Sequence, residues 1–210
     1  MRVGRQGAIS AVVDDRTRTL IEDHQHWARS AGRSGRQLVA EDLDLHGVEL
    51  PAVELVDAQI PGANFSGALL PRADLSGSNL ASALFVSADL SGAAIVKAVL
   101  DDADLSHARL ESSNLRRASF IEARLAEARL EAADLRGADF SDADLRGAAL
   151  ARSNLEGAFF DGTLLHGADL RGAFGLEALQ RCRIDLGSPD QPDIRDGESV
   201  RQWLLDAARA

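Results

Sequence analysis

The chain has 210 residues and a formal net charge of −10, and 45% of it is hydrophobic with only 4% aromatic residues and no Tyr. Its single Cys182 excludes an internal disulfide and any cysteine-based zinc site. No apolar run approaches the roughly 18 residues of a membrane span.

Residues 1–40 form an N-terminal extension with 7 basic and 4 acidic residues. Its apolar patch, Ala8 to Val13, is shorter than the h-region of about 7–15 residues in a secretory leader, so a cytoplasmic location is expected. Further on, Leu20, Ile21, His24 and Trp27 recur at near-helical spacing. A helix over about 15–31, stopped by Gly32, is predicted to lie over whatever follows. His24 and His26 have no carboxylate or cysteine partner at a metal-binding spacing, so packing is the reading preferred for them.

Residues 41–172 carry one rhythm. Counting from Leu45 in fives to Leu170, all 26 positions are Leu, Ile or Phe, and the position two before each is Ala in 19 of 26. An α-helix turns 500° in five residues and a flat strand sends odd-spaced residues to opposite sides, so neither buries this pattern. A coil with a corner in every repeat does. The large residue (the centre) and the small residue two before it point inward, the residue between points out, and the two after the centre make the corner. Pro51, Pro61 and Pro71 hold the first corner position, and Gly62, Gly77, Gly157 and others the second, as a type II turn requires. Corners without Gly, such as Asp101-Asp102 and Arg116-Arg117, are expected to use other turn types.

The recurring "ADLRG", "ADLSG", "SNLEG" and "GANFSG" resemble the pentapeptide-repeat family over about 130 residues. The resemblance implies an all-β solenoid, a right-handed quadrilateral β-helix with four pentapeptides per coil. Twenty-six repeats then give about six and a half coils and a rod on the order of 31 Å long. Residues twenty apart stack, so Phe120, Phe140 and Phe160 form one core ladder and Phe65 with Phe85 another. The segment His24, Trp27, Ser30 and Gly32 also resembles an H-x-x-W-x-x-S-x-G leader found in bacterial members.

Residues 173–210 lose the rhythm. A loop with Pro189 and Pro192 leads into a short helix that places Val200, Trp203, Leu204 and Ala207 on one face. So short a helix must pack on the last coil, on a second copy, or on both. In the quinolone-resistance branch of the family this helix builds a homodimer, so the resemblance implies a dimer here.

No nucleophile elbow, P-loop, dinucleotide fingerprint or HExxH motif is present. A non-enzymatic protein without cofactor or metal is expected. The solenoid region holds 22 acidic and 11 basic residues, which opposes direct contact with nucleic-acid phosphates. Sorted by face, the outward positions of three faces mix their charges. The fourth, centred on Ile60, Leu80, Leu100, Phe120, Phe140 and Phe160, carries Asp101, Asp102, Glu122, Asp139, Asp142 and Asp161 and no base. Ile121 and Phe159 lie among them. Family members of the Qnr type are acidic rods that occupy the DNA groove of bacterial DNA gyrase and topoisomerase IV, protecting them from quinolones or natural poisons. The resemblance thus implies a topoisomerase partner for this acidic face. The alternative is a rigid scaffold contacting another protein through Leu84, Val86, Val96 and Leu164.

Overall fold

The computed structural model describes residues 13–176, 183–187, 191 and 193–209. The chain winds into a four-sided solenoid. From Val39↔Gln59 to Asn154↔Phe174, the residue before each centre pairs in parallel with the residue twenty positions on. Parallel crossovers of this kind are right-handed, and the molecule is a right-handed β-helix. Pairing on each side is confined to one bridged residue per coil. Among the described residues, regular strands occur only as the short antiparallel pair β1 (Arg183–Asp185) and β2 (Ile194–Asp196).

The five-residue step follows from two sets of backbone bonds. Within a coil, the centre carbonyl accepts from the N–H three residues on, as in Val53 to Leu50 at 3.2 Å, and this closes the corner. Between coils, N–H groups reach the next turn, as in Leu55 to Asp74 at 2.7 Å. All 26 centres from Leu45 to Leu170 are buried to within 3% exposure. Phe65 stacks on Phe85 with ring centroids 4.8 Å apart; Phe120 on Phe140 at 5.0 Å; Phe140 on Phe160 at 5.4 Å. Where a hydroxyl replaces the small Ala it is buried but bonded, for instance Ser113 Oγ to the Leu110 carbonyl at 2.6 Å and Thr163 Oγ1 to the Phe140 carbonyl at 2.7 Å.

The corners correct one expectation. Every second corner residue from Asp42 to Gly172 has positive φ, whether Gly or not: Arg117 is at 57°, Asp102 at 59° and Gly62 at 69°. Corners without Gly therefore use the same turn. The stacked bonds Asp102 N–H to Ile121 O (2.9 Å) and Arg117 N–H to Arg136 O (3.0 Å) impose it over local preference, at a cost of about 1–2 kcal/mol for each side chain so held. At three corners Gly leaves room for a carboxylate from the coil before. A Cβ on Gly62, Gly77 or Gly162 would lie 2.2, 2.1 or 2.0 Å from the carboxylate of Asp42, Asp57 or Asp142, one coil earlier.

Helix α1 (Asp15–Arg29) starts where the Asp14 side chain accepts from the Thr17 N–H, and ends two residues before Ala31 and Gly32, both at positive φ. It is a little shorter than predicted. Its inward residues Ile21 and His24 are fully buried. At the other end β1 joins the last coil through Leu164↔Asp185, and helix α2 (Gly197–Arg209) folds back so that the Gly172 N–H donates to the Ala208 carbonyl at 2.7 Å. Val200 and Leu204 are buried within the chain, Trp203 and Ala207 half-buried. Of the packing alternatives left open by the sequence, Val200 and Leu204 show the first: they are buried by the chain itself.

Candidate interaction surface

The residue before each centre is often Asp or Asn, and its role is local. Its Oδ1 accepts from the N–H of the first corner residue, as in Asp74 to Ser76 (3.0 Å), Asp104 to Ser106 (3.0 Å) and Asn154 to Glu156 (3.1 Å). Where that corner residue is Arg, the guanidinium closes back on the same carboxylate. Arg136 reaches Asp134 at 2.8 and 2.6 Å, Arg146 reaches Asp144 at 2.8 and 2.5 Å, and Arg171 reaches Asp169 at 2.9 and 2.6 Å. The forked hydrogen bonds hold the Asp134 carboxyl below the usual range and take Asp169 down to about 2.

The first face, centred on Leu45 and Phe65, pairs Arg124 with Asp104 and His107 with Glu127. The second, centred on Leu50, carries an ion-pair ladder through Arg109 and Arg129, and the third, centred on Leu55, carries Arg136–Asp134. The fourth differs. Among the described residues no ion pair reaches Asp101, Asp102, Glu122, Asp139 or Asp142.

The six predicted acids are not equivalent. Asp102, Glu122 and Asp142 are exposed at one corner in successive coils, at φ 59°, 59° and 57°. They form the column. Asp101 is tied down: its Oδ1 accepts from Ser119 Oγ and, at 3.2 Å, from the Ile121 N–H. Asp139 accepts from the Ser141 N–H at 3.0 Å and its hydroxyl at 2.6 Å, while bridging Phe159 in the next coil. Asp161 is exposed beside Gly162, near the end of the column, and is itself partnered. Phe159 is 58% exposed on the flat of this face, and Ile121 is half-buried. Lys97 and Arg117 stand on the preceding corner and Arg124 on the following face, so the negative strip is about one corner wide.

At its far end the strip runs into a cleft lined by Asp142, Asp161, Leu164, Ile184, Asp185 and Ile194. Sequence reading missed Ile184, Asp185 and Ile194, because they lie outside the repeat and only the returning hairpin brings them there. It also missed Asp42, whose position sixty residues before Asp102 was a usable signal. Among the described residues no three His, Cys, Asp or Glu side chains converge on a point where a metal could sit.

Two family descriptions match the chain: "pentapeptide repeat region" over residues 87–160 and "pentapeptide repeats (8 copies)" over 58–102. The chain is a pentapeptide-repeat protein. Among solved structures it is similar to QnrB1, described as a plasmid-mediated fluoroquinolone resistance protein, with 21% identity, 64% of this chain and 76% of that one covered, and a TM-score of 0.41. A pentapeptide repeat protein of the Arabidopsis thaliana thylakoid lumen shows 36% identity over 54% of this chain and 61% of its own, with a TM-score of 0.23. One from the cyanobacterium Cyanothece 51142 shows 30% identity over 61% and 84%, with a TM-score of 0.23. No curated protein matches it.

In this pentapeptide-repeat protein the inward positions are fixed by the core and the Asp or Asn before each centre by the turn. The second corner position is left to vary, and there the acidic column stands.

Proposed function

We propose that this pentapeptide-repeat protein is a non-enzymatic, cytoplasmic binding protein whose fourth face imitates the charge of a DNA strand. On this reading it enters the DNA-binding groove of a bacterial type II topoisomerase and protects that enzyme from a quinolone or a natural poison. One observation carries the reading: Asp102, Glu122 and Asp142 stack without a counter-charge among the described residues, whereas the other faces pair their acids. Like charges about 4.8 Å apart repel by roughly 1 kcal/mol even in water, so the fold gains nothing from the column. A cationic groove would gain from it. The exposed Phe159 supplies an apolar anchor beside the acids. The family resemblance of the sequence supplies the class of partner.

The test is gyrase supercoiling with and without a topoisomerase poison. Restored supercoiling in the presence of the poison supports the proposal, and no effect at micromolar protein rejects it. A scaffold role is the second reading, favoured by the exposure of Leu84 and Leu69 on other faces. It predicts partner capture that survives charge reversal of the column. Any homodimer would be left to surface that α2 does not bury, Trp203 first.

A further inference from the structure

His24 of α1 is fully buried and lies far from the acidic column. The Leu38 backbone N–H donates to its Nδ1 at 2.9 Å. A ring nitrogen that accepts a hydrogen bond carries no proton, so the imidazole is neutral with its one proton on Nε2. Nε2 is itself buried without a hydrogen-bond partner. The ring stacks on Trp27, with centroids 5.5 Å apart and planes at 20°. From the coil side it is faced by the Leu55 and Val56 carbonyls and the Asp57 carboxylate. Burial holds His24 below the ordinary histidine range, against the upward pull of those three groups.

This contact is where helix meets solenoid. Leu38 is the first core residue of the coils, and its carbonyl accepts from the Gln59 N–H at 2.8 Å. Helix α1 is also tied by the surface ion pair Arg29–Glu54 at 2.7 Å, the Arg36 N–H to the Asp23 carbonyl at 3.2 Å, the burial of Thr17 and Ile21, and the packing of Leu20 on the core. A second proton on the ring has only Nδ1 to go to, where it meets the Leu38 N–H head on. Two donors then face each other, the Leu38 amide is orphaned, and an imidazolium is enclosed away from water. Asp57 offsets part of that cost from one side only, and Glu54 is already engaged by Arg29.

We infer that His24 makes α1 a pH-operated latch on the N-terminal end of the rod, closed near neutrality and released in mild acid, when it uncovers Leu38 and the strand edge of the first coil. The sign follows from linkage. The unfolded histidine takes up its proton near pH 6.5, before the docked one does, so docking is at full strength above that value and weakens as pH falls below it.

Hydrogen exchange of the full chain at about pH 7.5 and about pH 5, corrected for intrinsic rates, tests the latch. The amides of α1 and Leu38 are expected to lose at least about tenfold protection in acid, while those of residues 100–150 keep theirs. His24→Gln, whose amide oxygen accepts from Leu38 at any pH, is expected to stay closed at both. If that variant does not fold, the His24 ring resonances of the unaltered chain are followed instead, and they should titrate together with the opening of α1. Unchanged protection at the two pH values, equal loss in His24→Gln, or a protonated His24 beneath a protected Leu38 amide overturns the inference.

Discussion

The second and fourth faces of the solenoid lie back to back, share one backbone geometry, and treat their carboxylates in opposite ways. On the second, Arg109 reaches Asp89 at 3.2 Å and Glu111 at 3.5 Å, and Arg129 reaches Glu111 at 3.1 Å and Glu131 at 3.5 Å. Charge is neutralised from coil to coil, and the carboxylates are drawn in far enough that Glu111 Oε2 and Glu131 Oε2 are shielded from water. On the fourth, Asp102, Glu122 and Asp142 stay exposed. The backbone tolerates both patterns equally, so charge pattern is where two rods of this build differ in what they bind.

The largest expected effect separates the faces directly. Asp102→Lys with Glu122→Lys and Asp142→Lys should weaken topoisomerase binding at least about 100-fold in a titration. The melting temperature should change by only a few degrees, since exposed charges carry little stability. The matching second-face variant, Glu111→Gln with Glu131→Gln and Asp169→Asn, should bind within about threefold of the unaltered protein. Equal losses from both sets would erase the distinction between the faces.

A second comparison sits within the corners. Gly157 has open space where a Cβ would go, whereas Gly162 has the Asp142 carboxylate there. Denaturant unfolding should show Gly157→Ala costing about 1 kcal/mol and Gly162→Ala about 2–3 kcal/mol. Adding Asp142→Ala should return part of the larger loss, a non-additivity expected only of touching residues. Salt gives a smaller contrast: binding should weaken as ionic strength rises, and the fourth-face variant should lose that dependence.

The smallest effect concerns acid. Arg171 holds the Asp169 carboxyl down to about 2, so the stability this pair contributes is present above about pH 4 and is lost as pH falls toward 2. Arg171→Gln should flatten the acid limb of the stability profile in that interval by lowering stability slightly at neutral pH, with no change once the carboxyl is protonated near pH 2.

Much of the fold was legible because it is written at one period. Leu45 to Leu170 announced the core, Ala the tight inner positions, and Phe120, Phe140 and Phe160 their own stacking. The turn at Asp102 and Arg117 was misread because propensity speaks only for isolated residues, and there the stacked hydrogen bonds decide. In the candidate site, Asp102, Glu122 and Asp142 could be found by counting in twenties. That Asp101 and Asp139 serve the turn depends on Ser119 and Ser141, a pairing that face-sorting by charge ignores. Asp185 and Ile194 carried no signal at all, since a non-repeating hairpin delivers them.

The return of that hairpin has a consequence for the rod's length. Every described coil-to-coil bridge up to Asn154↔Phe174 spans twenty residues, but Leu164↔Asp185 spans twenty-one. The added residue falls before the strand, so Asp185 sits over Leu164 in the register of every earlier pair: the Leu165 N–H donates to its carbonyl at 2.8 Å, its own N–H donates to the Thr163 carbonyl at 3.0 Å, and Ile184 is buried. The other edge of β1 is taken by the antiparallel β2, so a further parallel coil arriving there finds that edge already paired. The reversed strand acts as a terminator, keeping an otherwise unlimited repeat from continuing head to tail into a fibre.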